Sequence, residues 1–311
     1  MPKVLISDAM DDVSRKILIS HKIEVDVITD LKTDKLKEII QNYDGLIVRS
    51  ATKVTEEIIE NAKKLKIIGR AGAGVDNIDV KFAKSKNIIV MNTPGGNSNA
   101  TAEHSLALLF SLIRLIPTAN FSTHKGLWEK KKFKGNEIKG KTIGIIGFGF
   151  VGQRFAEMCF SLGLNVNICS NYFKSIKDQY TNYNYLNLND IIPNSDIISF
   201  HCKPNIDNSS IINLNHMKNM KKNCLIINTS RGNLVNEKDL KTALEQGIIA
   251  GAAIDVFSSE PAKTNILFNA PNLILTPHIA ASTAESQTTV AEMIANQFSE
   301  YFNSGKIINS I

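Results

Sequence analysis

Three ionisable residues each stand just beyond an apolar, β-branched run: Arg231 after CLIINTS, Glu260 after AGAAIDVFSS, and His278 after NLILTP. If those runs are parallel strands, the three side chains converge at the C-terminal strand ends, where open sheets hold ligands. Together they are the parts needed to move a hydride between a nicotinamide and a 2-hydroxy or 2-oxo acid. The imidazole titrates nearest neutrality and takes or returns the hydroxyl proton. A carboxylate beside it orients the ring and favours its protonated form. The guanidinium grips a substrate carboxylate through paired hydrogen bonds and polarises the carbonyl.

A place for the dinucleotide is marked by Gly147-Phe148-Gly149-Phe150-Val151-Gly152, a G-x-G-x-x-G that follows the strand TIGIIG and opens the helical segment QRFAEMCFSLG. Gly147, Gly149 and Gly152 permit a tight turn, close approach of the backbone to a pyrophosphate, and close packing of helix on strand. The phosphates then face N–H groups at the helix N-terminus. The next strand ends at Cys169, so Ser170 falls where an acidic residue would bond the adenosine ribose. With no carboxylate there to repel a 2′-phosphate, NAD is expected and NADP stays open.

These groups need a scaffold that presents strand ends side by side. Short apolar runs read as strands at 3–7, 24–28, 45–48, 66–69, 88–91, 142–146, 165–169, 197–200, 224–228, 251–254 and 273–276. Helical periodicity fills the gaps between them. Apolar strands without clean alternation, separated by helices, indicate parallel sheets covered on both faces. The expected architecture is α/β, two Rossmann-like doubly wound parallel-sheet domains with a cleft between them. The turn-rich stretch NTPGGNSNATAEHS marks the seam, with Ser98 or Asn99 as candidate caps of the apolar helix that follows. That helix is expected to end near Pro117 and give way to a Lys-rich loop. Residues 1–97, completed by 286–311, form the expected substrate domain, and 98–285 the dinucleotide domain.

The 311 residues suit about two domains, and 43% apolar residues suffice for two cores. The excess of 36 Lys and Arg over 30 Asp and Glu gives a mild +6, spread along the chain, so no nucleic-acid partner is expected. The N-terminus carries Asp8, Asp11 and Asp12 where a signal peptide needs an apolar stretch. The longest apolar run, 105–116, is too short to cross a bilayer and contains Arg114. No membrane partner and a cytoplasmic location are therefore expected. Cys159, Cys169, Cys202 and Cys224 form no C-x-x-C pair and are expected to be buried, reduced thiols. No Cys/His cluster has zinc spacing, and no metal is expected.

GRAGAGVDNID (69–79), MNTPGGNSNATAE (91–103), GIIGFGFVG (144–152), the long segment 228–261 and TPHIAAST (276–283) resemble the D-isomer-specific 2-hydroxyacid dehydrogenases. The likeness spans nearly the whole chain. It implies catalytic roles for Arg231, Glu260 and His278. It implies cofactor contacts for Phe150, Val151, Cys202, Thr229, Ser230, Asp255, Ala280 and Ala281, with Asp255 at the nicotinamide end. Ser170 departs from the family's acidic residue, and Ala73 stands where a Thr is common.

VRSATKVT (48–55) and WEKKKF (128–133) look most like the branch of that family acting on 3-phosphoglycerate. Such a substrate carries a carboxylate and a phosphate, so its site needs extra cations. Arg49 follows GLIV and Arg70 follows LKIIG, both at strand ends. The resemblance assigns both to substrate. Backbone N–H groups of Gly72, Ala73, Gly74 and Val75 suit a nest for its carboxylate. Lys130, Lys131 and Lys132 are expected to reach in from a second subunit. Trp128 and the helix 101–115 accordingly read as a homodimer surface. The length leaves no room for the appended serine-sensing domain of longer members, so no feedback through one is expected. Two other functions compete: a reductase of smaller acids such as glyoxylate or hydroxypyruvate, and a dinucleotide-sensing co-repressor without turnover.

Overall fold

The computed structural model describes residues 1–205, 207 and 209–311. The chain begins β1 (Lys3–Ile6), α1 (Val13–Ser20), β2 (Glu24–Val27), α2 (Thr33–Ile39), β3 (Gly45–Val48), α3 (Glu56–Asn61), β4 (Ile67–Arg70), α4 (Val80–Ser85), β5 (Ile89–Asn92). Next come α5 (Ser98–Ile113), α6 (Ile116–His124), β6 (Thr142–Ile146), α7 (Phe150–Ser161), β7 (Asn165–Cys169), α8 (Asn171–Ile176), β8 (Tyr183–Tyr185) and α9 (Leu188–Asn194). The remainder is β9 (Ile197–Phe200), α10 (Leu214–Lys218), β10 (Leu225–Asn228), α11 (Glu237–Glu245), β11 (Gly251–Ile254), β12 (Leu273–Leu275) and α12 (Ala284–Ser304).

Two compact units result, 1–97 with 282–311 and 98–281. The return to the first unit follows Ala281, where the sequence pattern put it after 285. The first unit is a five-stranded parallel sheet in the order β2-β1-β3-β4-β5. Apolar cores lie on both of its faces. Helix α12 closes one of them: its Phe298 is completely buried, seated where Gly45 and Gly69 carry no Cβ.

The second unit is a seven-stranded parallel sheet, β12-β11-β10-β9-β6-β7-β8, again with cores on both faces. Strands β6, β9, β10 and β11 are apolar and buried almost throughout, as a sheet covered on both sides requires. Each run read as a strand forms one, with ends shifted by at most one residue. β8 was not anticipated. Its Tyr183-Asn184-Tyr185 offers no apolar run, and it pairs only with β7 at the sheet edge. Helix α5 begins at Ser98 itself, so Ser98 and Asn99 lie inside the first turn rather than capping it. Asn99 instead bonds Glu103 and Arg154.

Among the described residues no single helix is long and apolar enough to cross a membrane. α5 and α6 pass that test only as a pair bent by 61°. Eight residues of α5 are buried, and five of them, Ala102, Leu108, Leu109, Leu112 and Ile113, belong to the unit's own core.

Candidate active site

Strands β11 and β12 deliver Asp255 and His278 to the same end of the second sheet. The His278 N–H donates to the Asp255 carbonyl at 2.8 Å, and the His278 backbone is left-handed at φ 53°. A non-glycine residue held there costs about 1–3 kcal/mol, so its surroundings must over-determine it. They do. The Asp255 carboxylate accepts the Ile279 and Ala280 N–H groups at 2.9 Å each, and the Thr276 hydroxyl as well. Asp255 is completely buried. Burial alone would raise its carboxyl, but His104, Thr276 and the two amides outweigh that and hold it below its ordinary value.

Glu260 completes a pair with His278, Oε2 to Nδ1 at 2.6 Å, while its Oε1 accepts the Phe257 N–H at 2.9 Å. An ionised carboxylate only accepts, so Nδ1 carries the hydrogen and Nε2 is the nitrogen left to exchange a proton. Burial pushes the Glu260 carboxyl up. Hydrogen bonds from His278 and Phe257, with the charges of His278 and Arg231, more than reverse this and leave it below its usual 4.5. A carboxyl lowered on folding stabilises the fold above its unfolded pKa and loses that contribution as pH falls through the lower folded value. The stability gap between wild type and Glu260→Gln is therefore expected to close as pH drops below 4.5, measured as denaturant midpoints across an acid series.

Arg231 follows β10 in a turn pinned by Asn228, whose Nδ2 donates to the Arg231 carbonyl at 2.8 Å and whose Oδ1 accepts the Ser230 N–H at 3.1 Å. Gly232 then lies so close to the loop of Glu260 that a Cβ would stand 1.9 Å from the Phe257 carbonyl carbon. The structure thus brings Arg231, Glu260 and His278 together.

The fingerprint turn lies beyond β6, where the strand order reverses between β6 and β9. Gly147 has φ 102°, and a Cβ on it would meet the His201 carbonyl oxygen at 2.3 Å. Nothing lies within 4 Å of a Cβ on Gly149, which is the N-cap of α7. An open glycine face in front of a helix N-terminus fits a pyrophosphate. Phe150 is exposed and Val151 half-buried in that first turn. Ser170 caps α8 by accepting the Phe173 N–H at 3.3 Å.

The remaining candidates line the strand ends. Ser230 Oγ donates to the Cys202 carbonyl at 2.6 Å, and Thr229 is buried with its hydroxyl 2.7 Å from that of Ser105. Ala280 is buried with its N–H committed to Asp255, and Ala281 is half-buried. Burial of the Cys202 thiol, beside Cys169, pushes it up to about 12. Cys159 and Cys224 are buried as expected, whereas Cys169 and Cys202 are only partly so; all four are free. Among the described residues no group of three His, Cys, Asp or Glu is placed to hold a metal.

In the first unit, the loop after β3 is clamped from both sides. Asp8 accepts the N–H groups of Arg49 at 2.6 Å and Thr52 at 3.1 Å. Asn77 donates to the carbonyls of the same two residues at 2.8 and 2.6 Å. Arg70 ends β4 with its guanidinium over Gly72, where a Cβ would meet Nη1 at 2.3 Å. The Gly72 N–H donates to the Arg70 carbonyl at 2.9 Å, so Gly72 is no donor in the proposed nest; its amide is spent on the turn itself. Ala73, Gly74 and Val75 follow it, and the Ala73 carbonyl accepts from Asn92. Lys130, Lys131 and Lys132 form one exposed helical turn, Lys132 paired with Glu129, next to a Trp128 that is 86% exposed.

Comparison with known proteins places this geometry. Residues 106–280, more than half the chain, match the family model described as D-isomer specific 2-hydroxyacid dehydrogenase, NAD binding domain. The chain belongs to the D-isomer-specific 2-hydroxyacid dehydrogenases. Within that family it is 41% identical over 297 residues to the D-3-phosphoglycerate dehydrogenase of Synechocystis sp., covering 96% of this chain and 53% of that one. It is 35% identical over 311 residues to the Bacillus subtilis enzyme of the same name, covering 100% and 59%. The chain thus spans between half and three-fifths of the length of these relatives. Among solved structures it resembles an NAD+-bound 3-phosphoglycerate dehydrogenase of Entamoeba histolytica, with TM-score 0.83, 29% identity, and coverage of 100% and 98%. It also resembles an acyclic imino acid reductase in complex with NADPH and D-Arg, with TM-score 0.89, 29% identity and 99% coverage of each.

The loops that carry Arg231 and Glu260 are held by residues with no mark in the sequence pattern. Asn228 sets the Arg231 turn. Glu237, first residue of α11, accepts the Ser258 N–H at 2.7 Å and so anchors the loop carrying Glu260. Both lie in the segment 228–261 that carries the resemblance, but neither has a charge pattern that would mark it. Asp8 was read only as a charge that disqualifies a signal peptide.

Proposed function

We propose that the chain is a D-3-phosphoglycerate dehydrogenase, oxidising 3-phosphoglycerate to 3-phosphohydroxypyruvate with NAD or NADP as the first step of a phosphorylated route to L-serine. The 2.6 Å His278–Glu260 pair, with Arg231 acting on the same carboxylate, carries this reading. The bound nicotinamide supplies the acceptor for the hydride leaving the hydroxyl-bearing carbon. His278 Nε2 takes the hydroxyl proton, and Glu260 stabilises the imidazolium that results. Arg231 holds the substrate carboxylate and favours charge on the oxygen. Gly147, Gly149, Phe150, Val151 and Gly152 would hold the pyrophosphate. The Ser170 hydroxyl, accepting as a helix cap, keeps its own proton to donate to the ribose 2′-oxygen or its phosphate.

The names of the curated relatives and two arginines at strand ends, Arg49 and Arg70, favour the phosphorylated substrate over glyoxylate or hydroxypyruvate. Lys130–Lys132 of a second subunit are proposed to add charge, in a homodimer formed through Trp128 and α5. Four free thiols accord with a reducing, cytoplasmic setting.

The test is steady-state oxidation of 3-phosphoglycerate, and reduction of 3-phosphohydroxypyruvate, with NAD(H) and NADP(H) in parallel, against glycerate and glyoxylate. Faster turnover of the unphosphorylated acids would overturn the substrate assignment, and dinucleotide binding without turnover would indicate the co-repressor. For Arg49→Ala the expected result is a KM for 3-phosphoglycerate raised about 10–100-fold, the worth of a charge-assisted contact, with glycerate kinetics little changed. An equal loss with glycerate would detach Arg49 from the phosphate.

A further inference from the structure

Helix α5 carries His104, which the mechanism above does not use. Its Nε2 lies 3.2 Å from the Thr276 hydroxyl oxygen and 3.6 Å from Asp255 Oδ1, the second distance being too long for a hydrogen bond. The Thr276 hydroxyl has one proton, and it goes to Asp255 Oδ1. Toward His104 the same oxygen can therefore only accept, so the hydrogen between them belongs to His104 Nε2. The chain of donation runs His104 to Thr276 to Asp255, and the Asp255 oxygens then hold the Ile279 and Ala280 amides. Those amides immediately follow His278, whose left-handed backbone needs such support. Every member of this chain belongs to the second unit.

We propose that His104 is a positioning residue: its Nε2–H, passed through Thr276 to Asp255, fixes the segment that presents His278. His104→Leu removes the donor and leaves a buried carboxylate with weaker support. His104→Gln places an amide N–H at about the Nε2 position and restores it. Thr276→Val removes the middle link with nearly the same shape.

The intact chain is compared by deuterium exchange at Ile279 and Ala280, and by turnover, the second readout resting on the proposed dehydrogenase activity. For His104→Leu faster exchange at both amides is expected, with kcat about 10–100-fold lower. The Gln variant should return both toward wild type. Thr276→Val, which also deletes the direct bond to Asp255, should lose at least as much as His104→Leu, and the double variant should lose no more than Thr276→Val alone, since His104 acts only through Thr276. Wild-type exchange and turnover in His104→Leu would overturn the proposal, as would a Gln variant as damaged as Leu, or additive losses. Thr276→Val alone carries the test if the leucine variant does not fold. Should wild type fail to oxidise 3-phosphoglycerate, the functional reading fails, while the exchange rates still decide the role of His104.

Discussion

His278→Ala is expected to lower kcat about 10²–10⁴-fold, the range for losing a general acid–base, while cofactor affinity is retained. In the proposed reaction the proton leaves the substrate hydroxyl in the transition state, so kcat and kcat/KM should fall together rather than KM rising alone. About half of the side chain is exposed, its side-chain hydrogen bond among the described residues is to Glu260, and the backbone turn is held by Asp255, so alanine removes the imidazole without dismantling the loop. Glu260, deprived of its partner, loses the hydrogen bond that opposed its burial, and its carboxyl should rise. Steady-state kinetics with fluorescence titration of NADH separates the two effects. Unchanged turnover would remove His278 from the chemistry, and lost NADH binding would make it a structural residue.

Gly232→Ala is expected to cost on the order of 10²-fold in kcat/KM, although the residue bears no functional group. An ideal Cβ there meets the Phe257 carbonyl carbon at 1.9 Å and the Ser258 nitrogen at 2.4 Å, both backbone atoms that no rotamer change can move aside. The turn of Arg231 and the loop of Glu260 must part by more than an ångström. Misplacement on that scale is enough for losses of about 10²-fold where reacting groups must be aligned. Overpacking also destabilises by about 1–3 kcal/mol. The discriminating measurement is kcat/KM at a temperature well below the variant's thermal midpoint. Near wild-type activity there would mean that the two loops adjust without separating Arg231 from Glu260.

Much of the site was legible in the sequence because its chemistry is local. The glycines of the fingerprint, and Arg231, Glu260 and His278 just past successive strands, can be found by residue type and by distance from an apolar run. Their supports could not. His104 and Thr276 are separated by 172 positions, and Ser105 and Thr229 by 124. His104, Thr276 and Ser105 are ordinary polar residues until the sheet brings each pair into contact, and Thr229 is marked only by the resemblance. The short strand β8 was illegible for a related reason. An edge strand paired on one side needs no apolar run, so composition gives no sign of it. Gly72 shows a further feature that composition hides: in a glycine-rich stretch suited to an anion nest, the first amide closes a turn onto the Arg70 carbonyl.

The sequence by itself determined two parallel sheets, the fingerprint turn and three ionisable candidates, Arg231, Glu260 and His278, placed just past strand ends. These follow from periodicity, glycine stereochemistry and side-chain ionisation, all properties of a residue and its near neighbours. Only the tertiary structure decided which nitrogen of His278 bonds Glu260, how Asp255 stays ionised while completely buried, and why Gly232 admits no side chain. Those depend on distances between separate strands, set by the register of a seven-stranded sheet and the packing of α5, and no stretch of chain contains that information alone.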